Sequence, residues 1–111
     1  MDDVYLLGVG RHFRLGPNLK VIVGRDEVEN NFLQYYKNDR WNAQAVDFKG
    51  PLAVVVGVPS EDSVGTIASL VARYCDGKRE PSIRVEFENA GSKYTVDAEP
   101  ADNDLLENLR I

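Results

Sequence analysis

The sequence predicts an α+β domain, built on a mixed or antiparallel sheet of about six strands with two main helices. Apolar residues alternate with polar ones in several short segments, as in half-buried strands. In two longer segments they recur every three to four residues, as on one face of a helix. The length of 111 residues fits a single domain. We assign residues 1–100 to that domain and residues 101–111 to an acidic C-terminal tail.

Two or three strands are expected before the first helix. Residues 4–9 are aliphatic and β-branched, residues 11–15 alternate between polar and apolar, and residues 19–23 form another aliphatic run. Gly8 and Gly10 separate the first two segments, which leaves open either a tight hairpin or one long strand kinked at glycine. A Gly-Pro-Asn turn precedes the strand at residues 19–23.

The first main helix is predicted at residues 26–37. Asp26, followed three residues later by Glu29, has the spacing of a capping box, in which an N-cap side chain accepts a hydrogen bond from a backbone N–H of the first turn. Apolar residues follow at roughly helical spacing. These are Val28, Phe32, Tyr35 and Tyr36.

The second main helix is predicted at residues 60–76. Its apolar positions follow the i, i+3, i+4, i+7 rule, and Gly77 is expected to end it as a C-cap. Cys75 lies on the apolar stripe of this helix. Because a catalytic thiol needs a nearby base and His12 is the single histidine, we expect Cys75 to be a small buried residue.

The remaining strands complete the predicted sheet. Residues 42–47 alternate weakly, and the nearly continuous apolar run at residues 52–58 is typical of a strand covered on both faces. Residues 83–88 and 94–98 alternate on either side of a four-residue loop at 89–92, which predicts a hairpin. Leucines of the C-terminal tail have the spacing of a short helix, but such a helix is expected to have little to bury.

Catalysis, metals and cofactors are not expected of this chain. One cysteine and one histidine are too few for the usual zinc ligand sets, and the sequence has no Gly-x-x-x-x-Gly-Lys phosphate loop. The longest uninterrupted apolar run, at residues 52–56, is too short to cross a bilayer. The N-terminus lacks the features of a signal peptide, and a single thiol fits a reducing compartment. We therefore expect a cytoplasmic protein that does not contact membranes.

Charge is distributed unevenly along the chain. The formal net charge of −5 by itself disfavours a nucleic-acid partner. Residues 8–25 nevertheless carry four basic side chains and a histidine without any acid, whereas residues 97–107 carry five acids without any base. This asymmetry predicts a basic face and a separate acidic segment, although ordinary solvated surface is an alternative explanation.

Seven residues are candidates for contacts with RNA. Basic side chains bind phosphates, histidine adds a donor, and amide or indole groups meet a base or sugar. On an alternating strand, Arg11 shares one face with Phe13, which we expect to be core, whereas His12 and Arg14 share the other. Trp41 fits either a core position or an exposed stacking platform. The candidates are Arg11, His12, Arg14, Lys20, Arg25, Asn30 and Trp41.

Two motifs resemble a known family. The segment at residues 22–33, which contains Val-Gly-Arg, is similar to the opening of the NFACT RNA-binding domain, where Val-Gly-Arg-Asn is followed by Gln-Asn-Asp. The next motif of that family, Asp-x-Trp followed by an aspartate and Pro-Gly, is similar to a set of four residues here. These are Asp39, Trp41, Asp47 and Gly50. The resemblance extends from residue 20 to about residue 98.

The resemblance implies a non-catalytic RNA-binding domain, with tRNA as the expected RNA and no DNA partner. Residues 42–44 lack the histidine that the family usually carries, and the chain is more similar to a divergent branch. That branch is found at the C-terminus of proteins with a PP-loop ATPase domain like that of tRNA thiouridylases. It implies a domain excised from a longer parent protein, whose catalytic domain would be a partner. The alternative is a protein–protein docking module that does not contact RNA.

Overall fold

A computed structural model describes residues 10–35, 40–77 and 79–111, which form one six-stranded antiparallel sheet and three helices. The predicted α+β class is confirmed. The strands are β1 Arg11–Gly16, β2 Leu19–Val23, β3 Asn42–Ala45, β4 Ala53–Val56, β5 Ile83–Asn89 and β6 Ser92–Ala98. The helices are α1 Glu27–Gln34, α2 Glu61–Tyr74 and α3 Asn103–Leu109. The strand predicted at residues 4–9 lies outside the described residues.

The strand order across the sheet is β1-β2-β4-β3-β5-β6. Two hairpins, β1–β2 and β5–β6, form the edges, and β4 and β3 fill the centre. Val54 and Val55 of β4 lie on opposite faces and are both fully buried, which confirms a strand covered on both faces. It is shorter than predicted, because Gly57 turns the chain with a φ of 114° and Val58 is exposed.

Different helices cover the two faces of the sheet. On one face, called here the α2 face, Phe13 and Phe87 belong to the main core with α2. On the other, the α1 face, Ile22 and Val54 pack with Leu33 of α1. Because successive side chains of a strand alternate between faces, the position of a residue along its strand decides which core or surface it joins.

Helix α1 begins as predicted but ends earlier. The carboxylate of its N-cap, Asp26, accepts a hydrogen bond from the N–H of Glu29 at 2.9 Å. The helix ends at Gln34 with Tyr35 as its C-cap, and the last two residues of the predicted helix, 36 and 37, lie outside the described residues. Leu33 is the one fully buried residue of this helix, which anchors it to the sheet.

Helix α2 also ends before its predicted limit at residue 76. At its start, Ser60 and Ser63 form a capping box with hydrogen bonds of 3.2 and 2.7 Å between their backbone N–H groups and hydroxyls. At its end, the C-cap Cys75 is extended, with a ψ of 167°. Gly77 is therefore not the C-cap. It is needed for packing instead, because a Cβ atom there would lie 2.5 Å from the ring of Phe48.

Cys75 is a buried residue, as predicted. Its thiol donates a hydrogen bond to the carbonyl oxygen of Ala72 at 3.2 Å. Burial raises the pKa of the thiol, and this keeps Cys75 in its protonated, unreactive form at neutral pH.

The β5–β6 hairpin has a tighter turn than the predicted four-residue loop. Asn89 and Ser92 already pair across the hairpin, so the loop consists of Ala90 and Gly91 alone. Both have positive φ, 50° and 89°, as a two-residue type I′ turn requires. This turn matches the twist of the two strands, and it fixes their register along seven residues each.

The C-terminal tail contains helix α3, which packs against the main core. Its leucines, Leu105, Leu106 and Leu109, are partly buried there, so the expectation that a helix here has little to bury was wrong. The chain then runs along the edge of β1, where Arg110 bridges to Phe13 and the N–H of Ile111 donates to the carbonyl of His12 at 3.0 Å. None of the three described helices is long and apolar enough to span a membrane.

Candidate nucleic-acid interface

Basic side chains converge where β1 forms the edge of the sheet. A concavity of about 370 Å³ opens there, and no acidic side chain is among the described residues that line it. Six of the eight lining residues carry basic side chains; five of these are sequence-predicted candidates, and the sixth comes from the C-terminal end of the described fold. We call this set the basic surface: Arg11, His12, Arg14, Lys20, Arg25 and Arg110.

The β1–β2 hairpin places three of these residues on the α1 face. Arg14 pairs directly with Lys20 across the hairpin, and His12 pairs with Ile22. Ile22 lies in the core beneath α1, so His12, Arg14 and Lys20 share that side of the sheet. The Arg14 side chain is exposed, and its Nη1 donates to the carbonyl oxygen of Pro17 at 3.3 Å. The predicted sharing of a face by His12 and Arg14 is confirmed.

Arg11 reaches the concavity from the other face. Its neighbour Phe13 is fully buried, as predicted, and packs near the ring of Tyr74 with 6.4 Å between ring centroids. The guanidinium carbon of Arg11 lies 4.2 Å from the centroid of the same Tyr74 ring. This cation–π contact orients the arginine while leaving its positive charge in place.

Arg25 lies at the rim of the concavity and is paired with an acid. Its Nε and Nη2 atoms donate to the carboxylate of Glu29 at 2.9 and 2.7 Å. The same carboxylate accepts hydrogen bonds from the backbone N–H groups of Gly10 and Arg25, at 3.0 and 2.9 Å. The guanidinium contacts, assisted by these N–H groups and opposed by burial, lower the pKa of Glu29 to about 2. Glu29 is therefore ionised at neutral pH and offsets the charge of Arg25.

Arg110 is the member of the basic surface that sequence reasoning missed. It lies beyond five acids in the chain, within a segment that reads as an acidic tail. Its backbone bridge to Phe13 brings it beside β1, about a hundred residues away along the chain. No local pattern signals this pairing, because it depends on the packing of α3.

Asn30 lies next to the interface but has a structural role. Its Oδ1 accepts a hydrogen bond from the backbone N–H of Leu52 at 3.1 Å, which joins α1 to the start of β4. Gly24 leaves room for this contact, since a Cβ atom there would collide with Oδ1 of Asn30. The carbonyl oxygen of this amide is thus already engaged within the protein.

Trp41 lies away from the basic surface. It is partly buried against the main core and meets the ring of Tyr94 edge-on, with 5.3 Å between centroids, while Tyr94 stacks on Phe87 at 5.1 Å. Arg11 and Tyr94 end the same row of side chains at opposite edges of the sheet. Five inter-strand steps of about 4.8 Å separate them by roughly 24 Å. The fold thus does not bring Trp41 together with the arginines of the basic surface.

Comparison with known proteins places the chain in a family. The family model described as the NFACT protein RNA binding domain matches residues 10–110. The chain belongs to the NFACT RNA-binding domain family. The matched range includes every residue of the basic surface as well as helix α3. No curated protein matches the chain.

A solved structure shares the fold of this NFACT domain. It is the C-terminal part of the fibronectin/fibrinogen-binding protein from Streptococcus suis, with a TM-score of 0.80 and 17% sequence identity over 93% of this chain. The chain spans about half, 49%, of the length of that structure. At this identity the similarity shows the fold alone. Within the described ranges of this chain, no group of three or more His, Cys, Asp or Glu side chains is arranged to hold a metal ion.

Proposed function

We propose that this NFACT domain binds RNA through the basic surface, as a non-catalytic module. The observation that carries the proposal is that six basic side chains, from two strands, the segment before α1 and the C-terminal segment, line one concavity that has no acidic side chain among its described lining. One of them, Arg25, is paired with Glu29, which offsets its charge. A concave cluster of this kind concentrates positive potential and attracts a phosphate backbone even when the whole protein is acidic. Family membership supports the same class of partner.

The side chains divide into different roles in this proposal. Arg14 and Lys20 lie side by side on the α1 face and contact successive phosphates, and His12 adds a donor beside them. Arg11, held over Tyr74, approaches from the edge with Arg110. These contacts position RNA without reading its sequence. Asn30 and Trp41 are left out of the proposed contacts, because their side chains are engaged in packing within the fold.

The finer proposal concerns the RNA and the parent protein. We propose that tRNA is the physiological ligand, and that the domain belongs to a cytoplasmic PP-loop protein that modifies tRNA. The domain would then hold the substrate while a neighbouring catalytic domain acts on it. The similarity of residues 22–33 to the family motif supports an NFACT origin, and the length of the structural relative supports a longer parent chain.

Fluorescence anisotropy with three labelled ligands tests this function. We expect tRNA to bind more tightly than an unstructured single-stranded RNA, and duplex DNA of equal length to bind most weakly. Charge reversal of the paired residues, R14E with K20E, should reduce tRNA affinity at least tenfold, because it replaces two attractive phosphate contacts with two repulsive ones. Circular dichroism should show an unchanged fold, since both side chains lie on the surface.

The matched control reverses two exposed basic residues outside the concavity, R79E with R84E. This variant has the same total charge, so the control should keep most of the tRNA affinity if position matters more than net charge. RNA binding is excluded as the function if tRNA binds more weakly than about 1 mM at low salt. Equal affinity for RNA and DNA would contradict the proposed preference for RNA. An equal loss of tRNA affinity in the two double variants would contradict binding at the basic surface.

A second candidate function is docking onto a partner protein. An apolar groove of about 710 Å³ lies between the β1–β2 turn, the end of β4, α2 and α3. Its lining includes several leucines and the 84% exposed Val58, with the carboxylate of Asp62 but no basic side chain among the described residues. Apolar surface of this kind without a basic rim is typical of a protein contact. We propose the rest of the parent chain as its occupant.

The substitution V58D separates this candidate from RNA binding. Val58 is exposed, so an aspartate there should leave the fold intact while it disfavours any apolar partner in the groove. The tRNA affinity of the isolated domain should stay within about twofold, because Val58 does not line the basic surface. In the full-length parent, weaker association of the separately expressed domain with the remainder would support docking at the groove, and unchanged association would exclude it.

A further inference from the structure

Strand β6 forms one edge of the sheet and is open on its outer side. It pairs with β5 along seven residues, and no other strand in the described part of the chain pairs with it. Most of its side chains are exposed, and even Tyr94, which lies on the α2 face, is 37% exposed. A seven-residue edge is long enough to template the addition of another strand.

The hairpin turn determines which backbone groups of β6 face outward. In a two-residue hairpin the residues that flank the loop, Asn89 and Ser92, form the first pair that exchanges both backbone hydrogen bonds. Hydrogen-bonded and non-hydrogen-bonded pairs then alternate along the ladder. Lys93, Thr95 and Asp97 consequently direct their backbone N–H and C=O groups away from β5. These three residues are the ones that another strand would bond.

The sequence of β6 is complementary to itself in the antiparallel direction. We propose that β6 pairs with β6 of a second copy of this chain around a twofold axis at Thr95. Thr95 then faces Thr95 of the second copy, and Lys93 faces Asp97 on both sides of the axis. All three outward-facing residues fall in hydrogen-bonded pairs, and every residue of the strand has a partner. Opposite-charge pairs and Thr–Thr pairs are both favourable cross-strand combinations.

The charges of the neighbouring strand extend this complementarity. Within one chain, Lys93 pairs with Glu88 at 3.3 Å, and Asp97 contacts Arg84 at 3.4 Å. In the dimer, a row across four strands therefore reads Glu88, Lys93, Asp97 of the second copy, and Arg84 of the second copy, with alternating signs. Charged side chains on an edge strand usually discourage pairing. Here their spacing makes pairing with an identical strand favourable in this one register.

The α2 face of the proposed dimer buries apolar surface. Around the same twofold axis, Tyr94 of one copy faces Val96 of the other, and both already lie beside core residues of their own chain. An aromatic residue opposite a β-branched residue is a favourable cross-strand pair. Dimer formation would cover the exposed part of Tyr94 and extend the packed row of Phe87 and Tyr94 into the second copy.

Strand pairing of this kind buries less surface than a standard interface, so the dimer should be weak and should depend on protein concentration. The basic surface lies at the opposite edge of the sheet and remains open in both copies. The inference does not rest on RNA binding. If RNA binding is disproved, the proposed dimer still stands, and if the dimer is disproved, the proposed RNA binding still stands.

Charge-swapped variants provide the decisive experiment. K93E alone places two acids opposite each other in the homodimer, and D97K alone places two bases opposite each other, so each variant should be monomeric in sedimentation equilibrium. An equimolar mixture restores opposite charges in both rows, and its average mass should rise with concentration towards twice 12.4 kDa, as for the natural sequence. If the natural sequence stays at monomer mass up to about 1 mM, the proposal is overturned. A mixture that stays monomeric overturns it as well.

A backbone substitution tests the same contact without relying on charge. T95P removes an N–H that points outward, so it blocks the second copy but leaves the β5–β6 ladder complete. T95A keeps the N–H and is the matched control. We expect T95A to dimerise and T95P to remain monomeric, with folding of both verified by circular dichroism. If T95P dimerises as well as T95A, the pairing of β6 edges is excluded. If K93E or D97K fails to fold, the comparison of T95P with T95A tests the proposed dimer by itself.

Discussion

Glu29 holds Arg25 through two hydrogen bonds, of 2.9 and 2.7 Å, and with the same carboxylate accepts the N–H of Gly10 at 3.0 Å. The contact ties the residue before β1 to the first turn of α1. It also offsets the positive charge of Arg25 at the rim of the basic surface. One carboxylate thus stabilises the fold and reduces the charge available to a phosphate ligand.

Replacing this carboxylate should make stability less dependent on pH. Because the pKa of Glu29 in the folded state is about 2, below its ordinary value of 4.5, the ionised group stabilises the fold fully above about pH 4.5. That contribution is lost as the pH falls through about 2. E29Q should therefore destabilise the domain at pH 7 by about 1–2 kcal/mol, a value kept low by the exposure of Arg25. The difference should shrink below pH 4.

Urea unfolding at pH 7 and pH 3 measures this effect. The matched control is E27Q, which removes an exposed carboxylate from the same helical turn. We expect E27Q to change the free energy of unfolding by less than about 0.5 kcal/mol at either pH. If E29Q lowers the free energy of unfolding as much at pH 3 as at pH 7, the shape of the Glu29 side chain, and not its charge, is responsible for the stabilisation.

Asn30 should prove to be structural. N30A leaves the backbone N–H of Leu52 without its acceptor, and we expect a loss of about 1–2 kcal/mol in the free energy of unfolding. The exposed neighbour Asn31 serves as control, because N31A makes the same chemical change one residue along the helix. Under conditions where both variants are folded, their tRNA affinities should be equal. A selective loss of affinity in N30A would instead place this amide against RNA.

Trp41 should also matter for stability and not for RNA. W41A removes a partly buried ring that contacts Tyr94 and the main core, and should cost about 2–4 kcal/mol. W41F keeps much of that packing and should remain folded, with tRNA affinity within about twofold of the natural sequence. Because Trp41 is the single tryptophan, its fluorescence reports directly on this site. Strong quenching by tRNA would contradict the account and favour base stacking.

Removal of the C-terminal segment should weaken both the fold and the RNA contact. A chain that ends after Pro100 lacks the three leucines of α3 that pack against the core, and it lacks Arg110. Thermal unfolding should show a clear drop in midpoint, and tRNA affinity should fall even though three acids are removed with one base. The control D104N with E107Q removes acids from the exposed side of α3. It should keep stability and slightly increase affinity.

Sequence patterns with a local cause predicted most of the fold. The alternation at β1 and β5–β6, the N-cap at Asp26 and the buried run of β4 all depend on neighbours in the chain, and the structure confirms each. Helix ends were predicted too far along the chain, because the ends depend on tertiary contacts. Gly77 illustrates this: it is required by the ring of Phe48, a contact across the fold, and not by the helix that precedes it.

The candidate site was predictable only where it lies within one hairpin. His12, Arg14 and Lys20 share a face because strands alternate, which the sequence shows. Two features depend on contacts that a single sequence does not reveal. These are the engagement of Asn30 with Leu52 and the arrival of Arg110 at β1.

The salt dependence of tRNA binding tests the central claim most directly. If Arg11, Arg14, Lys20 and Arg110 contact phosphates, log K should fall against log salt with a slope of about −3, since each contact contributes about −0.7 on single strands. R14Q with K20Q should reduce the magnitude of the slope by about 1.4. The control R79Q with R84Q, which removes the same charge from other exposed positions, should leave it unchanged. Equal slopes in all three proteins would contradict binding at the basic surface.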